Sequence, residues 1–295
     1  MPKIRDRSFS AVARDFGLSA TSLIRSAKEL REKIDTPWPD KPFVLGIDEH
    51  SFSGRDLMIT LTNLSDHHLL GILRDDRNTT LIHWIRKIPE KIKQNIKTVC
   101  TDMRAGYRSA VEKELVGVPV VVDKFHVIQH FNFHLQCLRS LFSNHSYSIH
   151  KQLLEKNKED LNDKEKLFLK EIFRRYPPIE EFWKMKEIMR NIYRIKDPKK
   201  ATERFDSLIQ GLEFDPRPRW QELYRTLKNW RTEILNYFTY RVTNAYTEGV
   251  HTRIKLLKRI SYGFRNKINY IAKMTLAFLP LITIIKSLIN TNIVT

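Results

Sequence analysis

Between residues 43 and 73 apolar residues gather in three short strand-like runs, FVLGIDEHSF, LMITLTNL and LLGIL, separated by the turn-forming SGRD and SDHH. Short apolar runs bounded by turns rich in Gly, Asp and Ser predict three strands joined by hairpins. In TTLIHWIRKIPEKI the pattern changes. Leu81, Trp84, Ile85 and Ile88 recur at helical spacing, predicting a helix that Asn78 or Thr79 caps. IKTVCTD then reads as a strand, YRSAVEKEL as a short helix, and VPVVVDKFH as a strand running into another helix. Hairpin strands followed by alternating strands and helices predict a mixed α/β domain.

Different patterns flank this core. FSAVARDFGLSATSLIRSAKEL (9–30) has two helical runs around a Gly-Leu-Ser turn. That predicts a helix-turn-helix DNA-binding segment over residues 1–35, with Ser19, Thr21, Ser22 and Arg25 leading its second helix. The proline-rich IDTPWPDKP (34–42) reads as a linker. Residues 36–126 then form the first part of the α/β core. From His126 to about Tyr240 strand signals vanish and helical stretches recur between prolines at 177, 178, 198, 216 and 218, predicting an all-helical insertion over 127–240. Its Trp183, Tyr193, Trp220 and Trp230 read as core. Residues 241–295 return to close the core. There MTLAFLPLITII (274–285) is interrupted by Pro280 and is shorter than the roughly 20 residues a bilayer requires, so a buried terminal helix is expected. The N-terminus carries no apolar export run, and a cytoplasmic location without membrane association is expected.

Charge narrows the choice of partner. Lys and Arg number 52 against 34 acids, a formal charge of +18, which favours a polyanion, nucleic acid first. Cys100 and Cys137 offer neither a zinc set nor a disulfide framework and read as small core residues in a reducing compartment.

Three acids stand out. Asp48 lies inside an apolar strand, where a carboxylate needs compensation, and Asp102 ends another such strand. Glu248 sits on a helix expected from about Tyr246, and no Asp or Glu follows it to residue 295. Residues 244, 248, 252, 255 and 259 share one face of that helix: Asn, Glu, Thr, Lys and Arg. The eight bases after Glu248 are Arg253, Lys255, Lys258, Arg259, Arg265, Lys267, Lys273 and Lys286, a set suited to holding a polyanion. Taken singly, each Asp reads equally as a turn former or cap, and Glu248 as an incidental acid on a solvated basic helix. Strand alternation turns Glu49 away from the face of Asp48. His126, His130 and His134 cannot share one ion, since the first and last lie about 12 Å apart along a helix; a polar face or DNA contacts are expected instead.

At these residues, through GIDEHS, TDM followed by Y, VVVDKFH, TEGVHTRIK and KRISYGFRN, the sequence resembles the ISL-three family of DDE transposases over about residues 40–275. The resemblance implies a ribonuclease-H-like mixed sheet flanked by helices, with Asp48, Asp102 and Glu248 as a catalytic triad holding Mg²⁺, or Mn²⁺ in its place. It implies two-metal strand cleavage at the ends of a bacterial insertion sequence, then transfer to target DNA, by a homodimer or larger assembly on double-stranded DNA at the nucleoid. Asp123 and His126 look like the supporting Asp-x-x-His motif of such enzymes; Arg25, Asn244, Arg253, Lys255, Lys258, Arg259 and Arg265 are the expected DNA contacts. The family's usual cysteine-rich zinc segment has no counterpart here, pointing to truncation, and His251 stands where relatives often carry Asn. The competing expectations are a DNA-binding remnant or regulator without catalysis, and a structure-specific nuclease on the same fold.

Overall fold

The computed structural model describes residues 5–142 and 151–279. The chain divides into two compact units, residues 1–120 with 242–295, and residues 121–241.

The first unit opens with α1 (Phe9–Asp15) and α2 (Ala20–Lys33). Gly17, at φ +62°, takes the left-handed turn between them, and Ser19 caps α2 by accepting from the Ser22 amide at 3.0 Å. The three apolar runs form β1 (Phe43–Ser53), β2 (Asp56–Asn63) and β3 (His68–Ile72). Next come α3 (Asn78–Arg86), α4 (Glu90–Lys93), β4 (Ile96–Thr101), α5 (Ala105–Glu114) and β5 (Val120–Val122), which starts on this stretch's last residue. The strands make one mixed sheet in the order β3-β2-β1-β4-β5, antiparallel from β1 through β3 and parallel between β1 and β4. One expectation fails at TTLIHWIRKIPEKI: Arg77 occupies the cap position without a side-chain bond, and the run splits in two. Pro89, lacking an amide hydrogen, separates the pieces.

After the second unit the chain returns through two more helices, numbered α13 (Ala245–Ile260) and α14 (Lys267–Phe278) by chain order. Alternation along β1 sorts its side chains. Phe43, Leu45 and Ile47 join Ile59, Leu61 and Val99 beneath Leu81 and Ile85 of α3 and Tyr107 and Val111 of α5. On the other face Phe52 and Met58 pack with Val250, Ile254 and Leu257 of α13 and Tyr270 and Met274 of α14. Gly46, Asp48 and His50 alternate onto this second face, so the only carboxylate among them is directed at α13. A third cluster joins Val12, Leu23, Ala27 and Leu276, tying the first two helices to α14. Residues 280–285 of the expected terminal helix lie outside the described residues.

The second unit holds α6 (Lys124–Phe142), α7 (Lys151–Glu155), α8 (Asp163–Arg175), α9 (Pro177–Arg194), α10 (Pro198–Glu213), α11 (Pro218–Asn229) and α12 (Arg231–Tyr240). Pro177, Pro198 and Pro218 start helices, a position where the missing amide hydrogen costs nothing. Trp183, Tyr193, Trp220 and Trp230 are buried, and Phe182 meets Trp220 edge-on at 4.9 Å between centroids. His134 is also buried, stacking against Phe182 and approaching His130 at 3.2 Å, so the expected polar histidine face turns inward here. No described helix is long and apolar enough to cross a membrane.

Candidate active site

The parallel pairing of β1 with β4 places two of the acids. Gly46 is in register with Cys100, the last pair of the two strands. Asp48 lies two residues further on, midway along β1, and Asp102 follows the last residue of β4, on neighbouring strands whose axes run about 4.8 Å apart. Asp48 is buried; its Oδ1 accepts from the Glu49 amide at 2.7 Å. Asp102 accepts from the Thr101 hydroxyl at 3.4 Å. Tyr107 senses both. Burial raises its hydroxyl pKa, Arg104 opposes the rise, and the negative charges of Asp102, Asp76 and Asp48 add to it.

Glu49 faces the other way, as alternation requires. It pairs with Arg104, which also binds Asp76 at 2.8 Å. Arg104 thus joins the β1 carboxylate on the α5 side to the loop before α3.

The third acid arrives on α13, and polar contacts at one helical face dock that helix. Asn244 donates to the Ile47 carbonyl at 3.2 Å, Thr247 and Thr62 share a 2.7 Å hydroxyl bond, and His251 Nε2 lies 2.9 Å from the Thr60 hydroxyl. His251 Nδ1 reaches within 3.7 Å of Asp48 Oδ2. Glu248 follows Thr247 in the first turn of α13, where the helix dipole favours a carboxylate. Among the described residues no three His, Cys, Asp or Glu side chains are gathered into a ready cage for a metal ion.

Behind Asp48 runs a buried polar relay. Thr60 bridges His251 and His50, the latter through Nδ1 at 2.7 Å. Burial, with Lys255 nearby, pushes the His251 pKa down to about 4. Burial, together with His251, Lys258 and Lys255, pushes His50 down to about 3. Both rings are neutral at pH 7. Sequence reasoning did not single out His50, Thr60, Thr62 or Thr247. For His50, Thr60 and Thr62 the signal was the row of polar residues at alternate positions of β1 and β2, on the face opposite the aliphatic ones; Thr247 sits on α13 and had no such signal.

A family model described as Transposase, for the ISL3-type DDE enzymes, matches residues 45–274, a span containing Asp48, Asp102 and Glu248. The chain belongs to this transposase family. It is 20% identical over 287 residues to the transposase of insertion sequence element IS1001 of Bordetella parapertussis, covering 93% of this chain and 71% of that protein. It is 30% identical over 115 residues to the transposase of IS1557 of Mycobacterium tuberculosis, covering 38% of this chain and 25% of the relative.

Transposases act on DNA, so the accessibility of this transposase's bases matters. Arg25, Lys255, Arg259 and Arg265 are exposed. Lys258 is half-buried and donates to the Phe52 carbonyl. Arg253 pairs with Asp6 at 2.8 Å, and Lys267 pairs with Asp56. Two expected contacts turn inward. Asn244 is fully buried as a docking group, and Lys273 is buried with its ammonium on the Arg7 carbonyl. Lys286 lies outside the described residues. In the second unit Asp123 is buried and caps α6 by accepting from the Phe125 amide at 3.1 Å, while His126 is half-buried one turn on.

Proposed function

We propose that this transposase cuts DNA strands at the ends of an insertion sequence and joins the freed 3′-hydroxyl to target DNA, with Asp48, Asp102 and Glu248 as its metal-binding triad. The observation that carries the reading is that Asp48 on β1 and Asp102 just past β4, neighbouring parallel strands, both act on Tyr107, while the helix bearing Glu248 is hydrogen-bonded across β1 and β2. Asp102 thus stands where ligands collect, at the C-terminal end of a parallel strand.

These residues fit a hard divalent cation such as Mg²⁺. All three donors are carboxylate oxygens, and Asp48 is a buried acid, which a cation would compensate. When bound, a pair of such ions activates the attacking oxygen and stabilises the leaving one at the phosphodiester. The chain's own part is positioning. Asn244, Thr247 and His251 fix α13 against the sheet, so Glu248 is carried on a rigid element. Lys255 and Arg259, exposed further along the same helix, hold the strand by its phosphates. Arg25, Arg253, Lys258 and Arg265 extend that contact, and Asp123 with His126 forms the Asp-x-x-His motif. We read the sheet as a ribonuclease-H-like core, α1 and α2 as a helix-turn-helix, and the working form as a dimer or larger assembly on paired ends.

Full-length protein, element-end DNA, target DNA and Mg²⁺ or Mn²⁺ test this directly. Nicked ends and joined products are expected, and Asp48→Asn, Asp102→Asn or Glu248→Gln should abolish both while retaining binding. Nicking of ends without joining of pre-cut 3′-hydroxyls would make the chain a structure-specific nuclease. Binding with neither step would leave a DNA-binding remnant.

A further inference from the structure

The chemistry proposed above uses the end of α13 beside Asp48; the opposite end of this helix bounds a cavity of about 430 Å³ that the chemistry leaves unused. We propose that this cavity receives an unpaired nucleobase of a bound DNA strand, whose phosphates rest on Lys255 and Arg259. The proposal builds on the reading of the chain as a DNA-processing enzyme.

His50 and Tyr270 line the cavity, and each carries a buried polar atom, Nε2 and Oη, with no hydrogen-bond partner among the described residues. Orphaned polar atoms in a wall are costly unless a ligand or water answers them. An imidazole nitrogen and a phenol hydroxyl side by side match the mixed donors and acceptors along the edge of a nucleobase.

The rim favours the same occupant. Lys255, Lys258 and Arg259 make it cationic. Tyr262, also lining the cavity, is 98% exposed. Its conformation is the unusual feature. The Gly263 amide donates to the Lys258 carbonyl at 2.9 Å and the Tyr262 amide to the Arg259 carbonyl at 3.0 Å, a Schellman ending that puts Tyr262 in the left-handed position usually given to glycine. Tyr262 sits there at φ +55°. A bulky aromatic held in a glycine position with its ring in solvent gains nothing from packing, yet provides a stacking platform at the mouth of a cationic cavity.

The test compares a mixed-sequence duplex carrying one unpaired 5-iodouracil with its fully paired counterpart, using the full chain, equilibrium binding and photocrosslinking. The unpaired duplex should bind about tenfold tighter and crosslink to the peptide carrying Tyr262 or Tyr270. Tyr262→Gly should abolish the preference, leave affinity for the paired duplex unchanged and raise the thermal midpoint. Tyr270→Phe, which keeps the ring, should shrink the preference severalfold. Equal affinity for both duplexes, or crosslinks confined to other surfaces, overturns the cavity alone. Failure to bind either duplex overturns the cavity together with the DNA-processing reading.

Discussion

His251 Nδ1 stands 3.7 Å from Asp48 Oδ2 while the opposite nitrogen of the same ring lies 2.9 Å from the Thr60 hydroxyl. The first distance exceeds a hydrogen bond and the second does not, so the ring is anchored by Thr60 and faces the carboxylate. The helix bearing Glu248 is thereby registered against the strand bearing Asp48.

Thr60 is the hinge of that registration. Thr60→Val keeps the shape but strips the partner from His50 Nδ1 and His251 Nε2, both buried. A loss of about 2–4 kcal/mol in urea unfolding is expected, from two orphaned ring nitrogens. DNA cleavage should fall with it. Unchanged stability would show that the relay is not a structural bond.

Gly46 offers a test from a residue that has no side chain in the site. A Cβ there would lie 2.4 Å from Thr62 Oγ1 and 3.0 Å from the Leu64 side chain. Since Thr62 holds Thr247 of α13, Gly46→Ala should displace the helix that carries Glu248. The expected cost is about 1–3 kcal/mol of stability, with cleavage lost more steeply than DNA binding. Wild-type cleavage by a destabilised variant would separate α13 docking from activity.

Lys186 gives the second unit a pH dependence. Its ammonium is fully buried, donating to the Leu154 carbonyl at 2.9 Å and the Lys156 carbonyl at 2.8 Å, and burial lowers its pKa from 10.5 to about 8. Between those values the unfolded chain retains a proton that the folded chain has released. Stability from this group therefore rises as pH climbs from 8 towards 10.5, by up to about 3 kcal/mol. The wild-type protein should gain on Lys186→Met across that window in urea unfolding. A flat difference would mean that the carbonyl cage restores the pKa.

Phosphate contact on α13 is readable in salt. Lys255→Ala with Arg259→Ala removes two exposed charges. If both meet phosphates, the slope of log affinity against log salt should flatten by about 2. An unchanged slope would move the DNA to another face.

Much of this was legible along the chain. The hairpin strands follow directly from short apolar runs bounded by turn residues, and α13 begins one residue from its expected start because its apolar stripe, Val250, Ile254 and Leu257, keeps helical spacing. Family membership was also legible, since it is carried by short motifs around Asp48, Asp102 and Glu248. The roles of individual bases were not. Lys255 and Lys273 look alike in sequence, yet one is exposed and the other is buried against the Arg7 carbonyl. Asn244 read as a contact because its helix face is polar, but it spends its amide on Ile47.

Local pattern by itself determined the strands, the helices, the basic field and the acids worth watching, because apolar runs and charge are properties of neighbouring residues. Only the tertiary structure decided that Gly46 stands in register with Cys100, that Thr60 bridges two imidazoles, and that Tyr262 stands at the mouth of a cavity. One of those relationships, from Thr60 to His251, joins residues 191 positions apart. Their partners are chosen by packing across the sheet, which no local spacing encodes.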